Sequence, residues 1–400
     1  MARPSPQDLN ALSEYALDAL EAADMALAHA EGLKIAAPHT AADVTCEWLG
    51  ELIGAGVPGA KLENAEIVDG HDGMTDRRRW KLTWNDAGLD AGLPPSVFAK
   101  ATPHGPYLRE TLAMLHMAEN EMRFYSQLQP EVSRIAPKAF HAEFYPGGRF
   151  LLIMEDLEAK GLTPYWAHHE CSVEHAGAVV DALAHLHATY WNSDRFAGDL
   201  AWLRPRLQKF GRKWHRKSYI EARRKYPETD LGAAQPEAIR KLLKYWSEND
   251  EAVYRYWATL TPTVLHGDSH LGNTYSAPDG TAGLFDWQVM FRGHGLRDLA
   301  YFLNSAIPND MRQSDARALF DRYVAGLGAG GVTVDPERAW RDYGLFILEQ
   351  WDAHMKGYVF GGYGHMPESR LRSSQTLAGA LIDHDVAGLI SQIVRKGSLD

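Results

Sequence analysis

Residues 264–288, "VLHGDSHLGNTYSAPDGTAGLFDWQ", constrain this chain more than any other stretch. Two short apolar runs bracket a polar loop, and a turn sequence separates them. In "SAPDGTA", Pro278 and Gly280 stand where a type I turn wants proline and glycine. Residues 273–277 and 282–285 therefore pair as a hairpin, which loop 266–272 enters and Asp286 leaves. That pairing puts Asn273 and Asp286 at one end, with Asp268 on the entering loop. Two carboxylates and an amide oxygen are hard donors of the kind Mg2+ prefers. Two other readings compete. One is an ordinary hairpin with a polar loop. The other is a zinc site from His266, Asp268 and His270, but these alternate instead of standing four apart, and no HExxH is present.

Upstream, residues 1–60 read as helices. Ser5, Pro6 and Asp8 signal one helix start, and Thr40 with Asp43 signals another before "VTCEWLGELI". Residues 64–86 then read strand, glycine-bearing turn, strand, because Arg79, Lys81 and Thr83 alternate with Trp80, Leu82 and Trp84. "SVFAKAT" (96–102) is a third strand and "RFLLIMEDL" (149–157) a further one. Between them, residues 108–128 read as one helix with Met114, Met117, Glu121, Phe124 and Leu128 on a single face. After residue 157 the chain is mostly helical, with alanine-rich and amphipathic runs at 174–193, 236–260 and 315–327. The expectation is an α+β protein: an N-terminal region, residues 1–156, with leading helices, and a C-terminal region, residues 157–400.

The order His-x-Asp, Asn five residues after that Asp, then a hairpin and a second Asp has the spacing of the protein-kinase catalytic loop and metal aspartate. "HGDSHLGN" followed by "FDWQ" resembles the aminoglycoside phosphotransferase and choline kinase superfamily. "DWQ" followed by "GLRDLAYFL" resembles more particularly its ecdysteroid-kinase-like branch. The resemblance implies a bilobal protein-kinase-like fold: a small N-terminal lobe with an antiparallel sheet and a helix, and a large, mainly helical C-terminal lobe. It implies ATP and Mg2+ as cofactors and a small-molecule hydroxyl as acceptor. Asp268 would be the catalytic base, Asn273 and Asp286 would hold the metal, and His266 and Asp298 would brace the loop.

Such a fold needs a lysine on the third strand paired with a glutamate of the next helix. Lys100 ends "VFAK". Glu121 lies on the apolar face of the following helix, where a charge must be paired. Gly70 and Gly73 in "DGHDGMTDRR" are candidates for a phosphate-covering turn, although no full GxGxxG is present. Backbone groups at Glu155 to Leu157 would meet adenine. Two other glycine runs are decoys. "GLGAGG" (326–331) follows a helix instead of a strand, and "GAGVPGAK" (54–61) lacks the P-loop ending.

A formal charge of −11 argues against a general affinity for nucleic acid or anionic membranes. The basic stretch 204–226, interleaved with Phe210, Trp214, Tyr219 and Tyr226, runs against that charge. It reads as a solvated helical face, or as a contact for an anionic part of a substrate. No run has the apolar length of a membrane span, and the N-terminal stretch reads as amphipathic instead of secretory. Cys46 and Cys171 read as reduced thiols of a cytoplasmic protein. The branch suggests a bulky, lipophilic or sterol-like acceptor. An aminoglycoside- or choline-type acceptor stays open, because Glu349, Asp352 and "LIDHD" could supply an acidic pocket. A pseudokinase regulating a partner and a nucleic-acid-binding protein using the basic stretch are the remaining readings.

Overall fold

A computed structural model describes residues 40–145, 148–205, 212–360 and 367–399, with Asp18, Ala19, Ala22 and Pro38 before them. The start signal at Ser5, Pro6 and Asp8, Phe210, and the side chain of Trp214 lie outside the described residues. The chain divides into two compact units: Met1–Thr163 with Asp286–Val289, and Pro164–Phe285 with Met290–Asp400.

The first unit is built on an antiparallel sheet of five strands: β1 (Leu62–Asp72), β2 (Asp76–Trp84), β3 (Ser96–Ala101), β4 (Ala139–Tyr145) and β5 (Arg149–Glu155), in the order β1-β2-β3-β5-β4. The sequence reading has no counterpart of β4. Strand alternation sorts the side chains. Trp80, Leu82 and Trp84 join Val97, Ala99, Leu151 and Ile153 on one face, closed by Leu49 and Ile53 of helix α1 (Cys46–Gly54). Helix α1 starts at Thr45, whose hydroxyl accepts from Trp48 N at 3.1 Å. The expected start at Thr40 and Asp43 instead closes a single 3-10 turn, with Thr40 N donating to Asp43 at 2.9 Å.

Where one helix was expected over 108–128, there are two helices and a wider turn. These are α2 (Pro106–Met114), α3 (Met117–Arg123) and a π turn over Phe124–Leu128. The break is at His116, with φ +56°. Helix α3 lies against β4 and β5 and also against residues 287–289. It therefore buries Ala118, Asn120, Glu121 and Met122, more of its circumference than a single apolar stripe covers.

The second unit is mainly helical: α4 (Val173–Thr189), α5 (Arg212–Lys225), α6 (Glu237–Trp257), α7 (Leu296–Ala306), α8 (Asn309–Ala329), α9 (Pro336–Phe360), α10 (Pro367–Asp383) and α11 (Val386–Lys396). Short strands interrupt them. β6 (Thr263–Leu265) pairs with β9 (Phe291–Gly293), and β7 (Thr274–Ser276) with β8 (Ala282–Leu284). The turn between β7 and β8 is closed by Gly280 N donating to Ala277 O at 3.0 Å. The "GLGAGG" run has a packing role. A Cβ on Gly326 would fall 2.7 Å from that of Ala184, and one on Gly330 would fall 2.4 Å from that of Ala188. These glycines let α8 approach α4 closely. Among the described residues, no single helix is long and apolar enough to cross a membrane.

Candidate active site

In the second unit, the loop His266–Asn273 is shaped from below by Asp298, in the first turn of α7. Asp298 Oδ2 accepts from His266 N at 2.6 Å, and Oδ1 accepts from Gly267 N at 3.2 Å. Gly267 has φ +84°, a conformation that a side chain would strain. Burial alone would raise the Asp298 carboxyl. His187, whose Nε2 stands 3.6 Å from Oδ2, and the charges of Arg297 and His266 outweigh it and hold the group at about 2. Arg297 adds a second tie, donating to Gly267 O at 2.7 Å and to Glu349 at 3.1 Å.

This frame presents Asp268, whose side chain is 30% exposed. Tyr301 OH donates to its Oδ1 at 3.0 Å. Asn273 Nδ2 donates to the backbone oxygen of Asp268 at 2.9 Å and lies 3.5 Å from Oδ2. That contact fixes the amide the way round that leaves Asn273 Oδ1 as its ligand-capable atom. His266 is buried, with Nδ1 accepting from Asp268 N at 3.3 Å and Nε2 3.0 Å from Phe285 O. Both ring nitrogens are committed to holding the loop, which removes His266 from any zinc site.

In the first unit, Lys100 Nζ lies 2.7 Å from Glu121 Oε2 and 2.8 Å from Asp286 Oδ1. Lys100 and Glu121 are almost wholly buried, and the Asp286 side chain is 20% exposed. Burial opposes the lysine's charge, but the two carboxylates prevail and raise its affinity for the proton. Burial, helped by Asp286, pushes Glu121 upward against the pull of Lys100. Asp286 reaches Lys100 from a left-handed backbone, φ +65°, which aspartate tolerates better than most residues. The next two residues moor it. Trp287 stacks on Phe124 with ring centroids 3.8 Å apart, and Gln288 O accepts from Asn120 Nδ2 at 3.1 Å. Helix α3 and the π turn that follows it thus carry Glu121 and the anchors of Asp286 together.

Gly70 is not in the turn. It sits inside β1 opposite Arg78, and a Cβ there would fall 2.6 Å from the Arg78 side chain. The pairing of β1 with β2 runs as far as Asp72 opposite Asp76, two like charges that Arg78 bridges, and leaves a turn of only Gly73, Met74 and Thr75. Glu155 ends β5 with its N–H donating to Lys138 O and its carboxylate 2.6 Å from Lys160, and Leu157 caps the 3-10 turn that follows.

The acids considered for an acidic acceptor pocket are all engaged. Asp352 pairs with the buried Arg223, Glu349 with Arg297, and Asp383 with Arg312, while Asp385 caps α11. Arg223 also departs from the expected solvated face of the basic stretch. It is buried, 3.0 Å from Asp250 and stacked over Trp246.

Sequence reasoning missed Tyr301, Arg297 and the mooring by Trp287. A signal existed for Tyr301, which stands three residues after Asp298 and so on the same helix face.

The antiparallel sheet with its lysine–glutamate pair, followed by a helical unit carrying the Asp268 loop, defines a protein-kinase-like α+β fold. The model of the ecdysteroid kinase-like family matches residues 93–329, more than half of the chain. The protein belongs to that family, and so to the small-molecule kinases and phosphotransferases. Gly70, Gly73 and the arginines of β2 precede the matched region. Among solved structures, the chain is similar to the choline kinase LicA of Streptococcus pneumoniae, at 12% identity and TM-score 0.46, covering 84% of this chain and 98% of that one. It is also similar to the macrolide 2'-phosphotransferase MphH of Brachybacterium faecium, at 14% identity and TM-score 0.47, covering 80% and 94%. A third likeness is to the amicoumacin kinase hAmiN in complex with AMP-PNP, Ca2+ and Ami, at 13% identity and TM-score 0.47, covering 84% and 89%. No curated protein sequence matches the chain.

Proposed function

We propose that this protein is an ATP- and Mg2+-dependent kinase that transfers the γ-phosphoryl group to a hydroxyl of a small, lipophilic or sterol-like acceptor. The observation that carries the reading is the presentation of Asp268. Its carboxylate is accessible, accepts from Tyr301 at 3.0 Å, lies 3.5 Å from Asn273 Nδ2 and 3.7 Å from His270 Nε2, and is set on a loop fixed by Asp298. In this reading Asp268 orients the acceptor hydroxyl and accepts its proton, Lys100, placed by Glu121, binds the α/β-phosphates, and backbone groups at Glu155 to Leu157 meet adenine. Gly70 and Gly73 belong to the hairpin proposed to cover the phosphates.

The residues present suit a hard divalent cation. Asn273 offers Oδ1, and Asp286 follows Phe285, whose N–H donates to Asn273 O at 3.0 Å. Both donors are oxygens. When bound, Mg2+ would neutralise charge on the phosphates; the protein's own share is position and hydrogen bonding. The lipophilic acceptor rests on family membership and on the engagement of the candidate acids. The proposed setting is the cytoplasm, in keeping with the reading of the two thiols.

The test is ADP release from ATP·Mg over a panel of hydroxylated metabolites that includes sterols. The wild type should turn over at least one, and Asp268→Asn should lose about 10²–10⁴ in rate while still binding ATP. Equal turnover by Asp268→Asn would remove the base from the mechanism.

A further inference from the structure

The run Asp76-Arg77-Arg78-Arg79-Trp80 puts three guanidinium groups in succession on β2, and the structure treats them differently. Arg78 pairs with Asp72 at 2.7 Å and Asp76 at 2.9 Å. Arg79, on the opposite face, pairs with Glu158 at 2.7 Å and Asp156 at 3.4 Å. Arg77 has no carboxylate within ion-pair distance among the described residues, and its Nε is buried without a hydrogen-bond partner. A half-buried guanidinium without a partner is unfavourable unless an anion visits it.

Its surroundings say which anion. Arg77 stands directly opposite Lys100 in the β2–β3 pairing, so both side chains rise from the same face of the sheet. Its charge is felt at Glu121, the partner of Lys100. A Cβ on Gly73 would lie 3.5 Å from Arg77 Nη2, which places the guanidinium under the β1–β2 turn. The cluster Lys100, Glu121 and Asp286 carries one formal positive charge against two negative ones. A polyphosphate arriving there needs a further cation, and a planar guanidinium can grip phosphate oxygens through two N–H groups at once.

We propose that Arg77 is a second phosphate-binding cation beside Lys100, contacting the polyphosphate chain of the nucleotide. The proposal rests on the kinase reading above, and the experiment separates the two. The full chain is titrated calorimetrically with ATP·Mg, adenosine and inorganic tripolyphosphate, for wild type, Arg77→Gln and Arg77→Lys. Arg77→Gln should weaken ATP·Mg and tripolyphosphate by about 10- to 100-fold, the span of a hydrogen bond to a charged group. Adenosine binding should not change. Arg77→Lys should recover only a fraction of the loss, because an ammonium cannot fork.

ATP·Mg binding by Arg77→Gln as tight as by the wild type would overturn the assignment, as would an equal loss of adenosine affinity, which would mark Arg77 as structural. If Arg77→Gln does not fold, Arg77→Lys decides: weaker ATP·Mg with unchanged adenosine supports the role, and unchanged ATP·Mg overturns it. A wild type that binds none of the three probes would instead sink the kinase reading itself, and this proposal with it.

Discussion

The Asp268 carboxylate accepts from the neutral donor Tyr301, with Asn273 Nδ2 at 3.5 Å and His270 Nε2 at 3.7 Å, on a loop whose amides are tied to Asp298. Asp286 is held by the Lys100 ammonium, in an ion cluster whose Lys100 and Glu121 are almost wholly buried. Neutral donors fix the direction of a carboxylate without cancelling its charge, which suits a group that must take a proton. An ion pair fixes position more firmly but makes it depend on charge balance. Substitutions should therefore give graded losses around Asp268 and abrupt ones around Lys100.

The largest effect is expected at the ion cluster. Lys100→Met leaves two carboxylates facing each other with Glu121 buried, and should cost about 3–5 kcal/mol of stability, read by urea denaturation. A loss no larger than that of an exposed lysine would contradict the cluster's role. Next comes the frame beneath Asp268. Because the folded Asp298 carboxyl is held at about 2, below its ordinary range, its contribution is fully present above pH ~4 and is lost as pH falls through about 2. It amounts to about 2 kcal/mol. The urea midpoint of the wild type should fall over that window, and that of Asp298→Asn should fall less. The smallest effect is at Tyr301. Tyr301→Phe removes one neutral donor and should lower kcat about tenfold, or about 1.4 kcal/mol, with the KM for ATP unchanged. A rise in KM alone would place Tyr301 outside the positioning of Asp268.

The same contrast bears on what could be read from the sequence. The Asp268 loop and its hairpin were legible because polar residues at fixed spacing lay between apolar runs, with proline and glycine marking the turn. The pair Lys100 and Glu121 was legible because a charge on an apolar helix face demands a partner. The break at His116 was not, since helical periodicity carries no sign of one left-handed residue. Trp287 read as a motif residue, but its stack on Phe124 depends on a π turn that no local pattern announced. Arg223 sat in a basic run that looked solvated, and its partners Asp250 and Asp352 lie far along the chain. Arg77 fell inside "DGHDGMTDRR", the stretch that read as the glycine-bearing turn. Only the pairing with β3 shows that it faces Lys100.

If the Asp268 loop and Asp286 serve one metal-nucleotide reaction, calorimetric titration with ATP, with and without Mg2+, will show it. The wild type should bind ATP strongly only with Mg2+, Asp268→Asn should keep this behaviour, and Asp286→Asn should lose it. Binding that ignores Mg2+, or that is the same in Asp286→Asn as in the wild type, would separate the two aspartates and refute their shared role.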